Sequence, residues 1–351
     1  MDLFGAKEIA ALFAPLNAAR GALLAVSGGP DSVALMLLAS AWAGQGTSKA
    51  KLAVATVDHG LRPQSRGEAE AVAGWAKMLG LPHEILIWEG EKPKTRIQER
   101  ARAARYDLLF RHAGEIGADH VLTAHHADDQ AETILFRLLR GSGIGGLAGM
   151  PVAARHGDIL HLRPLLSYPK EALVGLCKAH SQAFFRDPSN EDLGFARTRM
   201  RRLLRLLAEE GLDSAALLRL ARRAARAELA LAACTTTLRA SLDATHTNAF
   251  FSAPIGHLRE APEEILQRLI AAEIQALGGK PLRLDRLEGL AGALRTALQC
   301  GAAWRGTLGG MTLALDGRGS LTIRRERPRR RGRGTSDASE ETALRGAATA
   351  L

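Results

Sequence analysis

The chain has 351 residues, of which 46% are hydrophobic and 24% charged, with a formal net charge of +10. That length and apolar content exclude a disordered chain and provide for two domains or one large one. The positive excess points to a polyanionic partner. Aromatic residues at 4% argue against a surface of many base-stacking platforms, and three scattered cysteines argue against a zinc ribbon, an iron–sulfur motif or a redox dithiol.

The opening stretch MDLFGAKEIAALFAPL has no basic start, so no secretory leader is expected. The longest apolar stretch, 33–44, is too short to span a bilayer, and the chain reads as cytoplasmic with no membrane partner. Short apolar runs then alternate with helical patterns. Strands are expected at 22–26, 52–57, 83–88 and 120–124, and helices at 32–43, 65–79, 96–117 and 128–140. Such alternation predicts an α/β fold, a doubly wound parallel sheet with helices on both faces. Ligands of such sheets bind beyond the carboxyl ends of the strands, so the residues after each strand are the candidates. GSGIGGLAG (141–149) reads as a flexible loop, followed by HLRPLLSYPKEALVGLCKAH as a turn and a helix. From about 213 the style changes to Ala/Arg/Leu-rich helices at 217–237, 263–277 and 287–298, then a short β meander over 306–326. The expected division is therefore 1–212, a smaller mainly helical α+β domain at 213–326, and a basic, disordered tail at 327–351.

Ser27-Gly28-Gly29-Pro30-Asp31-Ser32 stands between the first strand and its helix. Two glycines allow positive φ and close backbone approach, so successive N–H groups can face an anion at the helix start. The loop lacks the lysine of a Walker-type P-loop. Asp31 would repel a bare phosphate but suits a Mg²⁺ placed between it and phosphates. The other reading is an ordinary strand–turn–helix junction.

AHHADDQAET follows the strand expected at 120–124. His125, Asp129 and Glu132 fall at i, i+4 and i+7 on one helical face, with Ala131, Ile134, Leu135 and Leu138 on the core side. Asp128 and Asp129 alone could be acids complementing a helix dipole; the two histidines and Gln130 need more. VDHGLRPQS brings Asp58, His59 and Arg62 to another strand end. RIQERARAARYDLL carries Arg102, Arg105 and Tyr106. FFRDPSNEDLGFARTRMRRLLR joins Asp187, Ser189 and Asn190 to Arg197, Arg199, Arg201, Arg202 and Arg205, which read either as a solvated basic helix or as an RNA contact.

SGGPDS, VDHGLRPQS, ARAARY, AHHADDQAET, GSGIGGLAGM, LRPLL and DPSNED…ARTRMR, in this order over about 20–205, resemble the N-type ATP pyrophosphatases. More narrowly, they resemble the bacterial tRNA(Ile)-lysidine synthase family. The resemblance implies a PP-loop ATPase fold, like that of the adenine nucleotide alpha hydrolases, with ATP and Mg²⁺ as cofactors. It implies an isoleucine tRNA with a CAU anticodon and L-lysine as partners, and leaves a homodimer open. The implied reaction has the O2 of the wobble cytidine attack the α-phosphate of ATP; the lysine ε-amine then displaces AMP at C2, so the tRNA reads AUA rather than AUG. Ser27, Gly28, Gly29, Pro30, Asp31, Ser32, Asp58 and His59 are then expected at the nucleotide, with Asp31 at the metal. Asp31, Arg105, His125, Asp129 and Glu132 are expected at the chemistry, and Arg197, Arg201, Arg202 and Arg205 on RNA. Thr198 stands where the family has Asn and is not carried over. A further domain gripping the acceptor stem is not expected here, so tRNA selection would lean on 213–326 and the tail. The alternatives are another PP-loop tRNA-modifying enzyme, such as a tRNA cytidine thiolase, and a non-catalytic RNA-binding or nucleotide-sensing protein.

Overall fold

The computed structural model describes residues 4–46, 49–61, 63–90, 95, 97–186, 196–316 and 319–326. It divides into two compact units, residues 1–228 and 229–351. Arg62, Asp187, Ser189, Asn190 and the expected tail from 327 lie outside the described residues.

The first unit is built on six strands: β1 Gly21–Ala25, β2 Lys51–Asp58, β3 His83–Ile87, β4 His120–Leu122, β5 Ala153–His156 and β6 Ile159–Leu162. They run in the order β3-β2-β1-β4-β6-β5, all parallel except the edge strand β5. Helices α1 Ala6–Leu12, α2 Pro30–Gly44, α3 Ser65–Met78, α4 Ile97–Glu115, α5 Ala127–Leu138, α6 Ile144–Leu147, α7 Lys170–Ala179 and α8 Ala196–Glu209 accompany them. α9 follows at Ser214–Ser241.

β1 shows why the sheet is covered on both sides. Its five residues, GALLA, are all buried, as a continuous apolar run in a parallel sheet must be. Ala22 and Leu24 join Leu35 and Trp42 of α2, Val72 of α3 and Leu173 of α7 on one face. Leu23 and Ala25 join Leu109, Phe110 and Ala113 of α4 on the other. The strand period of two sends alternate side chains to opposite layers, and each fully buried Leu contributes ~1.5–3 kcal/mol. α8 covers α5 through Met200, Leu203, Leu204 and Leu207, at i, i+3, i+4 and i+7, against Ala131, Ile134 and Leu135.

The second unit pairs helices α10 Gly256–Glu260, α11 Glu263–Ala276 and α12 Leu284–Cys300 with a five-stranded antiparallel sheet. Its strands β7 Thr245–His246, β8 Phe250–Pro254, β9 Trp304–Leu308, β10 Met311–Leu315 and β11 Ser320–Arg325 run in the order β7-β8-β11-β10-β9. The expected meander is β9–β11; β8 adds to it by pairing with β11 from more than sixty residues away in the chain. That pairing has no local signature, so the two strands before α10 were not anticipated.

The β5–β6 hairpin was also not anticipated; its residues complete the sheet edge beside β4, and the turn expected before α7 follows it at 164–167. Two other expectations change. The glycine-rich stretch 141–149, expected as a flexible loop, contains α6 and is pinned. Gln130 exchanges hydrogen bonds with the Met150 backbone at 2.7 and 2.8 Å, and Arg137 donates to the Gly146 and Gly149 carbonyls, each at 2.8 Å. Leu138, expected in the core, is 42% exposed; the buried stripe of α5 ends at Leu135.

Candidate active site

The chain leaves β1 for β2 and β3 on one side, then crosses β1 to place β4 on the other. Between β1 and β4 the direction of winding reverses, and in such sheets ligands bind outside the carboxyl ends at that point. The loop after β1 is Ser27–Ser32 and the loop after β4 carries His125 and His126. The two strongest motifs therefore flank the switch point.

Gly28 has φ +84, and a Cβ there would stand 2.8 Å from the ring of Phe185, whose N–H donates to the Gly28 carbonyl at 2.8 Å. Gly29 differs from expectation: at φ −72 and ψ 159 it is extended, so only one glycine of the pair takes positive φ. A Cβ at Gly29 would meet only Ser27 Oγ, at 3.9 Å. Glycine there keeps open the space in front of the α2 N-terminus. Pro30 begins α2, and the N–H groups of Asp31 and Ser32 have no carbonyl one turn back. Ser32 Oγ donates to Gly29 O at 2.9 Å and accepts from Ser27 N at 3.1 Å, so its hydroxyl braces the turn. Ser27 Oγ lies 3.3 Å from it.

Asp31 meets two cations. Its Oδ2 is 3.6 Å from Lys170 Nζ and 3.6 Å from His126 Nε2, while its buried Oδ1 has no hydrogen-bond partner. Burial raises the Asp31 carboxyl above its ordinary range, against the lowering effect of His126 and Lys170. His126 is almost fully buried, with Nε2 3.5 Å from Asp129 Oδ2 and Nδ1 3.4 Å from Asp128 Oδ2. Burial alone would lower its imidazole, but the nearby carboxylates of Asp128, Asp129 and Asp31 outweigh it and raise it. Asp128 also accepts from Lys170 N at 2.9 Å, which ties α7 to the start of α5.

His126 and Lys170 were not among the expected site residues. His126 could have been found from its place beside His125, where local spacing does not tell the two apart. Lys170, the first residue of α7, carries no local signal.

His125 is not on the helical face with Asp129 and Glu132. α5 begins at Ala127, so His125 stays in the loop, where its Nδ1 is 2.8 Å from Thr123 Oγ1. Asp129 and Glu132 do share the α5 face, both buried. Asp129 Oδ2 accepts from His126 N at 3.3 Å, and Glu132 Oε1 accepts from Arg201 Nε at 2.6 Å. Arg201, expected on RNA, is thus drawn to a buried carboxylate. Its guanidinium also feels Asp129 and Asp31. Arg202 and Arg205 are exposed on α8, and the Arg197 side chain lies outside the described residues.

Asp58 and His59 follow β2, one strand further along. Asp58 Oδ1 accepts from Gly60 N at 2.9 Å and Ser65 Oγ at 2.6 Å, which holds its carboxyl below its ordinary range although burial opposes this. His59 stands edge-on to Trp88. Arg105 is half-buried on α4, and its charge reaches His125 and His161.

Among the described residues no group of three or more His, Cys, Asp or Glu side chains could hold a metal ion. The donor set instead suits Mg²⁺, which keeps waters and takes one or two carboxylates plus phosphate oxygens. The unpartnered Asp31 Oδ1 provides such a carboxylate oxygen beside the anion-facing turn. No helix among the described residues is long and apolar enough to cross a membrane.

Residues 2–208 match the family model of the PP-loop domain. A tRNA(Ile)-lysidine synthase of Methylobacterium sp. (strain 4-46) is 50% identical over 318 residues, covering 89% of this chain and 91% of that protein. The tRNA(Ile)-lysidine synthase of Rhodopseudomonas palustris is 45% identical over 348 residues, covering 95% and 98%. Among solved structures, a U34-tRNA thiolase from Methanococcus maripaludis superposes with a TM-score of 0.53 at 16% identity, covering 62% of this chain and 77% of that one, a likeness of fold alone. The chain belongs to the tRNA(Ile)-lysidine synthase family and carries its PP-loop domain.

Proposed function

We propose that this chain uses ATP to join L-lysine to C2 of the wobble cytidine in the CAU-anticodon isoleucine tRNA, through an adenylated cytidine, with release of pyrophosphate and AMP. One observation carries the reading. An anion-facing helix start with a lysine beside it lies across the switch point from a buried pair of carboxylates. Nucleotide binding alone has no use for Asp129 and Glu132 at that place.

The α2 N-terminus, the open space at Gly29 and Lys170 hold the β,γ-phosphates, the leaving group when cytidine O2 attacks the α-phosphorus. Asp31 would hold Mg²⁺ here, and the ion, when bound, would supply positive charge to balance that leaving group. Lys170 makes good the lysine missing from the turn itself. Asp129 and Glu132 attract the lysine ammonium, and one of them takes the proton the amine must lose before it attacks C2 and expels AMP. Arg105, whose charge reaches His125, and Arg201, bonded to Glu132, are the cations assigned to the adenylate phosphate in this reading. Arg202 and Arg205 give α8 an exposed basic side for the tRNA backbone, and its binding weakens as salt rises.

The test is incubation with ATP, Mg²⁺, labelled lysine and unmodified tRNA bearing CAU. ATP-dependent label in the tRNA is the expected result. ATP-dependent sulfur incorporation without lysine would replace this reading with the thiolase alternative. That alternative has little support here, since Cys177 is buried and Cys234 and Cys300 stand alone in the sequence.

A further inference from the structure

Four side chains form a line of hydrogen bonds behind the site. Arg163 Nη2 is 3.1 Å from His161 Nδ1, His161 Nε2 is 2.8 Å from Thr123 Oγ1, and Thr123 Oγ1 is 2.8 Å from His125 Nδ1. Thr123 and His161 are buried. The direction of every bond follows from donor counting. A guanidinium only donates, so His161 Nδ1 must accept and its proton sits on Nε2. That Nε2–H donates to Thr123 Oγ1. The threonine hydroxyl has no other acceptor among the described residues, and leaving it unpaired would cost ~1–3 kcal/mol, so it donates to His125 Nδ1. His125 then carries its own proton on Nε2.

We infer that Arg163, His161 and Thr123 lock His125 as a neutral imidazole with Nε2–H, which makes His125 a fixed hydrogen-bond donor in the site and not its general base. No described residue takes that Nε2–H. The ring of His161 is itself set by Tyr106 at 5.4 Å and by Phe110, edge-on at 5.8 Å. Charge agrees with the donor count. Burial, with Arg102, Arg163 and Arg105 near, holds His125 at about 3 against the pull of Asp129, and burial with the same arginines holds His161 at about 3. Both rings stay neutral at working pH, as the line of bonds requires. Thr123, His161 and Arg163 act through His125 and are positioning residues. A neutral N–H donor suits an oxygen anion that gains charge during reaction, because it stabilises the charge without competing for the lysine's proton. Which oxygen it serves rests on the function proposed above; the tautomer does not.

The experiment is long-range proton–nitrogen NMR on the full chain labelled with ¹⁵N-histidine, with His125 assigned by loss of its signals in His125→Asn. Wild-type His125 is expected to be protonated at Nε2 alone. Thr123→Val, nearly the same shape, should release the ring into a mixture of tautomers, and Thr123→Ser should restore the wild-type pattern. In lysine transfer Thr123→Val should lower kcat by at least about tenfold, with KM for ATP within about twofold. Its acid limb should also move to higher pH, because His125 becomes easier to protonate. A proton on Nδ1 in the wild type, or His125 signals unchanged in Thr123→Val, overturns the inference whatever the substrate proves to be. Should Thr123→Val not fold, the wild-type spectrum and Thr123→Ser decide it.

Discussion

The ammonium of Lys170 lies 3.6 Å from the carboxylate of Asp31, although one opens α7 and the other stands in the first turn of α2. A phosphate loop without its own lysine thus has one from the far side of the chain. Lys170→Ala should raise KM for ATP by roughly 10–100-fold, the worth of one charged hydrogen bond of ~1.5–3 kcal/mol. Lys170→Arg should recover part of that loss. Equal ATP saturation curves for Lys170→Ala and wild type would remove Lys170 from the phosphate site.

Asp129 is a buried acid that also accepts a hydrogen bond from His126 N. Asp129→Asn keeps an acceptor and removes the charge. Lysine incorporation should fall by at least ~100-fold, as for loss of a proton-transfer group. The urea unfolding midpoint should stay near that of the wild type. Near-normal turnover would show that the amine loses its proton elsewhere.

Gly28 cannot take a side chain without moving Phe185, and its φ of +84 disfavours any other residue. Gly28→Ala should cost ~1–3 kcal/mol of stability in strain and overpacking. The same shift deforms the turn, so ATP-dependent activity should fall in protein that remains folded. Gly29→Ala is the control, because its backbone is ordinary and its Cβ clears the protein. It should leave the fold intact and reduce ATP binding by filling the open space.

Asp119 ties the start of β1 to β4. It accepts from Arg20 N at 3.2 Å and Gly21 N at 3.4 Å, and pairs with His120 Nδ1 at 2.8 Å. Burial would raise its carboxyl, but the His120 bond and the two backbone N–H groups outweigh this and lower it to about 2. A depressed folded value means stability that is present above the ordinary carboxylate range and lost as pH falls from about 4 toward about 2. Asp119→Asn should cost about 1–2 kcal/mol near neutral pH, reduced by the partial exposure of the group, and the gap should close in acid. Urea titrations of both proteins across that range measure it; a gap independent of pH would mean the charge contributes nothing.

Much of the first unit is local information. GALLA, the helix after SGGPDS and the apolar stripe Ala131, Ile134 and Leu135 are readable because side-chain direction repeats every two or 3.6 residues. The positive φ of Gly28 and the proline at the first turn of α2 follow from the same short range. Strand ends as sites are also legible, since the α/β alternation implies them. The failures lie at one- or two-residue scale or at long range. A helix that starts at Ala127 moves His125 off the Asp129 face, and periodicity locates helix starts only to within a few residues. Gln130, which the helix dipole left unexplained, holds Met150.

By itself the sequence determined the alternation of elements, the family, and the short motifs that face phosphate and carry acids. Tertiary structure decided which of those motifs meet. Sheet order places β4 beside β1, and that order depends on pairing between segments about a hundred residues apart, which no local spacing encodes. It also brought Lys170 to Asp31 and Arg201 to Glu132. A charge's position in the chain says nothing of its partner in space, because packing of the apolar faces beneath sets where each helix begins and which way it looks.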